Sequence, residues 1–184
     1  MRRISLALPL FAAPSVAQAH PAQDAASFFA GAAHPLGGFD HVLAMLAVGL
    51  MAAQLGGRAL WALPLAFVGA MLAGGALGFA GLGLPAVKPA ILASVIILGA
   101  LVAMAVRLPL GSLVPMVALF GFAHGWAHGA EGPVSGMALY TGGFALATAL
   151  LHGAGIALGR GLTALAIRGL GGAAAVAGLA LAFA

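Results

Sequence analysis

The sequence predicts an all-α polytopic membrane protein, with six transmembrane helices after a cleavable signal peptide. Of its 184 residues, 64% are hydrophobic and only 5% carry a charge. That leaves too little polar surface to cover a water-soluble globule. The apolar residues also fall into stretches of about 20, which is the length a helix needs to cross a bilayer. The N-terminal segment, finally, has a charged start and a short apolar core, as secreted and membrane proteins often do.

Residues 1–19 have the layout of a signal peptide. Arg2 and Arg3 precede an apolar segment of roughly ten residues, and the small-residue site at 17–19 predicts cleavage before His20. The segment is too short to span a membrane as a helix. We therefore expect residues 20–184 to form a single six-helix transmembrane domain whose N-terminus lies outside the cytoplasmic membrane.

Short breaks that contain glycine, proline or single charges divide the remaining chain. They place the six spans at residues 36–55, 60–81, 88–106, 109–130, 134–158 and 162–183. With the N-terminus outside, the first, third and fifth breaks face the cytoplasm and carry Arg58, Arg107 and Arg160, as the positive-inside rule requires. The sequence thus predicts a multi-pass protein of the cytoplasmic membrane with both termini on the outer side.

Charge and cysteine content exclude several functions. The seven basic residues are scattered and form no run that could follow a phosphate backbone, so we expect no nucleic-acid partner. The chain has no cysteine. Any metal site must therefore use imidazole, carboxylate or backbone groups.

The few ionisable residues in the apolar stretches indicate function, because each costs about 2.5–3.5 kcal/mol to insert. The first cluster is His34, Asp40 and His41. Pro35 suits the first turn of a helix, so we expect His34 at or just outside the start of the first span. Seven residues return nearly to the same helix face, which would align His34 with His41. Asp40 would be either a metal ligand or a carboxylate that fixes the tautomer of a histidine.

The second cluster is His124, His128 and Glu131, whose spacing places them on one side of the fourth helix. Glycines at every fourth position from 121 to 129 would let a neighbouring helix, expected to be the first, come close. The topology brings both clusters to the outer side, with His41 and His124 at similar depth. His152 lies further inward, where it is a weaker candidate ligand.

These patterns resemble the HupE/UreJ family of bacterial nickel permeases over essentially the whole chain. The family motif His, five residues, Asp-His is matched by His34, Asp40 and His41. The motif Phe-His-Gly-any-Ala/Val-His-Gly-any-Glu is matched from His124 to Glu131, with one departure, because Ala123 stands in the place of the phenylalanine. The resemblance implies uptake of Ni²⁺, or Co²⁺ in some relatives, by a permease that does not hydrolyse ATP. It also implies an indirect link to the maturation of hydrogenase or urease.

We expect a transporter rather than an enzyme, with no tightly bound cofactor and the divalent ion as its substrate. The ion would pass from the first cluster to the second and then inward past His152. A membrane-bound accessory or sensor protein that binds metal without conducting it is an alternative. An intramembrane protease is disfavoured, because Ser135 lacks the Gly-any-Ser-Gly context of a rhomboid nucleophile and Gly125 follows His124 where a metalloprotease needs glutamate. A homo-oligomer stays open.

Overall fold

Seven helices and no strand occupy the part of the chain that the computed structural model describes, residues 27–183. Five of them are long and apolar enough to cross a membrane, and the first two pass the same test together. The chain is thus a multi-pass all-α membrane protein, as the sequence predicts. The predicted signal peptide lies outside the described residues. The helices are α1 (Phe28–Gly37), α2 (Phe39–Leu55), α3 (Ala59–Phe79), α4 (Val87–Met104), α5 (Leu110–Glu131), α6 (Met137–Gly161) and α7 (Ala164–Ala182).

The start of the first span differs from the expectation that residues 36–55 form one helix. The side chain of Ser27 accepts a hydrogen bond from the backbone N–H of Ala30 at 3.0 Å and begins a separate helix, α1. This helix ends at Gly37, and α2 leaves it at an angle of 89°. Pro35 therefore lies near the end of α1, not in the first turn of the span. The expectation that His34 and His41 share one face of one helix is wrong.

Glycines set the closest helix pairs in the bundle. A Cβ at Gly121, Gly125 or Gly129 would fall on a backbone carbonyl oxygen of α3, so these glycines join α5 to α3 rather than to the first span, as we had expected. Gly49 of α2 and Gly155 of α6 pack against each other in the same way. Such small residues let backbones approach in lipid, where no hydrophobic force drives helices together.

The outside of the bundle is apolar and its inside holds the polar groups. Leucines in the middle of the helices face outward, with exposed fractions of 64% for Leu65, Leu119 and Leu150. Among the described residues, five polar or charged side chains are buried, namely Ser94, His124, His128, Thr148 and His152. The lipid-facing surface thus needs no polar partner, whereas each interior polar group does.

The loops that carry basic residues meet at one end of the bundle. Arg58 and residues 108 and 110 line one shallow pocket there, and Arg107 and Arg168 line a second. Arg168 donates from Nε to the carbonyl oxygen of Ala103 at 2.8 Å, so it binds a free carbonyl in the last turn of α4. That contact explains why an arginine lies inside the last helix.

Candidate metal site

Four histidines from three helices pack together at the other end of the bundle. The ring of His41, on α2, has its centroid 4.7 Å from that of His124 and 4.5 Å from that of His128, both on α5. The ring of His34, on α1, lies 4.6 Å from His128. The two sequence clusters therefore meet, as their depths predicted. His34 and His41 reach the same partner from two helices at a right angle, rather than from one face.

Asp40 binds His41 and fixes the proton on its ring. The carboxylate oxygen Oδ1 of Asp40 accepts from the backbone N–H of His41 at 2.9 Å and from its Nδ1 at 2.7 Å. Because a carboxylate only accepts, Nδ1 carries a proton, and in the neutral ring Nε2 therefore has the lone pair. That Nε2 is buried and has no hydrogen-bond partner among the described residues. Of the two roles open for Asp40, the geometry matches the one that orients an imidazole.

His124 is buried completely and makes one hydrogen bond, to a residue that the sequence did not indicate. Its Nε2 lies 2.9 Å from Oγ of Ser94, on α4. The same hydroxyl lies 2.6 Å from the carbonyl oxygen of Ile91. The other ring nitrogen of His124, Nδ1, is buried and unpaired in the described structure, as are both ring nitrogens of His128.

An open pocket leads to this cluster from outside the bundle. It has a volume of about 480 Å³ and is lined in part by His34, His41, His128 and Glu131. Glu131 is the last residue of α5 and is exposed, while His128 is one turn deeper and buried. Glu131 lines the pocket, and Asp40 lies next to it, bound to His41, so two of the three acidic residues of the chain lie near this entrance.

His152 makes no ring contact with the other histidines in the described structure, but it shares a phenylalanine neighbour with His124. The ring of Phe67, on α3, lies 5.4 Å from that of His124 and 5.1 Å from that of His152. Phe67 is fully buried, and both ring nitrogens of His152 lack a partner within the described residues. His152 is therefore a buried, unpaired imidazole that packs against Phe67, and its role as an inward station stays a prediction.

The imidazoles contact one another as rings rather than as the ligands of a closed cage. Between residues 27 and 183, no group of three or more His, Asp or Glu side chains is arranged to hold a metal ion. The cluster is instead a row of adjacent rings, from His34 at the pocket through His128 and His41 to His124.

Nearly the whole chain matches a known protein family. The family model described as HupE / UreJ protein matches residues 8–181. The chain is 43% identical to "Protein HupE" of Rhizobium leguminosarum bv. viciae, over 97% of this chain and 96% of that protein. No solved structure gives a significant match.

Proposed function

Because the chain belongs to the HupE/UreJ family, we propose that it is a secondary permease for a divalent transition metal, with Ni²⁺ as the principal substrate. The family is one of membrane transport and accessory proteins and not a known enzyme family. The observation that carries the proposal is the row of four imidazoles that begins at an open, acidic pocket and continues into the bundle.

The nitrogen chemistry of the row suits a metal ion. Imidazole binds a divalent metal through the nitrogen that has no proton. His41 has such a nitrogen at Nε2, because Asp40 holds the proton of the ring on Nδ1. Neither ring nitrogen of His128 has a hydrogen-bond partner within the described residues. Unpaired buried nitrogens are costly in an apolar bundle, and a passing cation would offset that cost.

The order of the residues gives a route for the ion. The side chains of Glu131 and His34 line the opening of the pocket and would capture the ion there. His128, His41 and His124 would receive it next, and His152 would follow once Phe67 moves aside. Transfer between incomplete ligand sets keeps each site weak enough to release the ion, as conduction requires.

The distribution of charge supports a location in the cell. Arg58 and Arg107 lie at the end of the bundle opposite the histidine cluster, so by the positive-inside rule we expect the pocket on the periplasmic side. The protein would then lie in the inner membrane and import the ion for hydrogenase or urease maturation. The choice of Ni²⁺ rests on the family, because imidazole and carboxylate suit Co²⁺, Zn²⁺ and Cu²⁺ as well.

The test is metal uptake into proteoliposomes that contain only this chain. We expect uptake of Ni²⁺ that Co²⁺ reduces by competition more strongly than Zn²⁺ does. His128→Ala should abolish uptake, while Ser112→Ala, on an exposed position at the far end of the same helix, should leave it unchanged. Normal uptake by His128→Ala would contradict the proposed route.

The same experiment decides between a permease and an accessory protein. A metal-binding accessory protein would use the same ligands, so binding alone does not separate the two. Tight binding of Ni²⁺ by the purified chain together with no flux into the vesicles would favour the accessory role. Flux that ceases in His128→Ala would establish the permease.

A further inference from the structure

The hydroxyl of Ser94 contacts both the carbonyl oxygen of Ile91 and the ring of His124, and only one arrangement of protons satisfies both contacts. Its Oγ lies 2.6 Å from the carbonyl oxygen of Ile91. Two oxygens approach this closely only when a hydrogen lies between them, and the carbonyl has none to give. The hydroxyl proton of Ser94 is therefore donated to Ile91. A hydroxyl has a single proton, so Oγ can only accept from His124.

The ring of His124 must then supply the second proton. Its Nε2 lies 2.9 Å from Oγ of Ser94, which is the ordinary length of an N–H···O hydrogen bond. The opposite arrangement would leave a buried N–H at Nδ1 without any acceptor, and unpaired buried N–H groups are rare and costly. A neutral His124 therefore has its proton on Nε2 and a lone pair on Nδ1.

We infer that Ser94 is a positioning residue, which holds His124 protonated at Nε2 and so leaves Nδ1 to bind the transported metal. The metal in this inference rests on the proposed function, whereas the position of the proton does not. Ser94 does for His124 what Asp40 does for His41, but at the other ring nitrogen. Two rings whose centroids are 4.7 Å apart thus present different nitrogens, Nε2 of His41 and Nδ1 of His124.

The helix arrangement explains why this residue is serine. Ser94 lies on α4, is fully buried and faces α5. A serine in an apolar helix returns its proton to a carbonyl of the preceding turn, as it does here to Ile91. That bond makes the oxygen a pure acceptor with a fixed direction. Threonine can keep both bonds, whereas alanine loses both.

The first experiment determines which ring nitrogen of His124 carries the proton. The full chain is purified without metal, with its histidines labelled with the heavy nitrogen isotope, and its NMR spectrum is recorded at alkaline pH, where imidazole is neutral. The difference from His124→Gln assigns the His124 signals. We expect the proton on Nε2 in the wild type and in Ser94→Thr, and a mixture of both tautomers in Ser94→Ala. Thr148→Val, which removes a buried hydroxyl bonded to the sulfur of Met71, should leave the His124 signals unchanged.

The second experiment measures Ni²⁺ affinity by equilibrium dialysis of the same proteins. Loss of a group that orients a metal ligand lowers affinity by about 10- to 100-fold, which we expect for Ser94→Ala but not for Ser94→Thr. Where Ser94→Ala does not fold, Ser94→Val replaces it, since valine has nearly the shape of the control threonine but no oxygen to accept from His124.

The NMR spectrum and the Ni²⁺ affinity test separate parts of the inference. A proton on Nδ1 in the wild type, or an unchanged tautomer in Ser94→Ala, would overturn the role of Ser94 even if the permease function holds. Equal Ni²⁺ affinity of the wild type and Ser94→Ala would overturn Nδ1 as the ligand atom. A wild type that binds no metal would refute the proposed function and the metal part of this inference, while the spectrum still tests the position of the proton.

Discussion

Replacing Asp40 separates two roles for its carboxylate, orientation of His41 and direct binding of the metal. Asp40→Asn keeps an oxygen that can accept from Nδ1 of His41, whereas Asp40→Ala removes the acceptor. If Asp40 orients the ring, asparagine should retain much of the metal affinity and alanine should retain little. If Asp40 is itself a ligand, both substitutions remove it and should be equally damaging.

The size of the effect follows from the hydrogen bond. At 2.7 Å, the contact between Nδ1 and Oδ1 is at the short end of the charge-assisted range. Such bonds contribute about 1.5–3 kcal/mol, and the lower value applies because the Asp40 side chain is 28% exposed and water competes for it. Since about 1.4 kcal/mol is a factor of ten, Asp40→Ala should weaken Ni²⁺ binding about tenfold. Asparagine keeps a neutral bond of about 1 kcal/mol, so its loss should be about two- to threefold.

The assay is equilibrium dialysis of Ni²⁺ against the purified chain, with Gln54→Ala as the control. Gln54 lies at the opposite end of the same helix and donates to the carbonyl oxygen of Val102 at 3.0 Å. Its loss removes a hydrogen bond from α2 without touching the cluster, so the affinity should not change. Complete and equal loss in Asp40→Asn and Asp40→Ala would refute the orienting role. No loss in either would remove Asp40 from the site.

Three further outcomes follow from the same geometry. Gly125→Ala places a Cβ on the carbonyl oxygen of Met71 and should destabilise the bundle by about 1–3 kcal/mol, which a lower midpoint of thermal unfolding would show. Gly111→Ala, on the same helix but with open space around it, should not lower the midpoint. Equal midpoints for the two variants would contradict the close packing of α5 on α3. Phe67→Leu should speed uptake with Ni²⁺ affinity unchanged, because it replaces the ring that packs against both His124 and His152 with a smaller side chain. His152→Ala should slow uptake with binding retained; if both variants transport at the wild-type rate, neither Phe67 nor His152 controls passage of the ion. Uptake should fall as the external pH is lowered from neutral into the acidic range, since protons compete with the metal for imidazole; a rate that stays flat across that range at constant driving force would argue against histidine ligands.

The sequence was sufficient for the six long helices α2 to α7 and for the meeting of the two clusters, because both depend on counting residues across a bilayer. Six apolar stretches fix alternate directions for the spans, and His41 and His124 lie at similar distances from the outer ends of theirs. The contact between these rings confirms that argument. It needed no knowledge of which helices are neighbours.

The sequence prediction missed the break before α2 because it relied on Pro35 alone to mark the start of the first span. Proline suits the first turn of a helix, and the first-span prediction used Pro35 in that way. The pair of glycines at 37 and 38 is the stronger local signal. Gly38 lies in the extended break between α1 and α2, where a Cβ would fall on the side chains of Asp40 and His41. Ser27 was the matching start signal for α1, because its side chain accepts a backbone hydrogen bond there.

Ser94 and Phe67 could not be found from sequence, and the reason is physical. Neither belongs to a charged cluster or a spaced motif, and the chain contains ten phenylalanines. Each matters only because of which helices pack together, and that depends on small residues whose partners are set in three dimensions. The glycines from 121 to 129 show this, since their spacing revealed a close approach but not that α3 would make it.

The site combines histidines, which can bind metal, with residues that fix the position of the proton on two of the histidine rings. Histidine side chains, which sequence reveals, supply nitrogen atoms, but a nitrogen binds metal only if its proton is elsewhere. Asp40 on α2 and Ser94 on α4 decide where those protons are for His41 and His124. His128 lies against His41, with both of its nitrogens unengaged in the described structure, so it can bind through either one. The adaptable ring of His128 thus contacts the fixed ring of His41, which in turn contacts the fixed ring of His124. An ion that moves along this row can bind the next ring before it leaves the last.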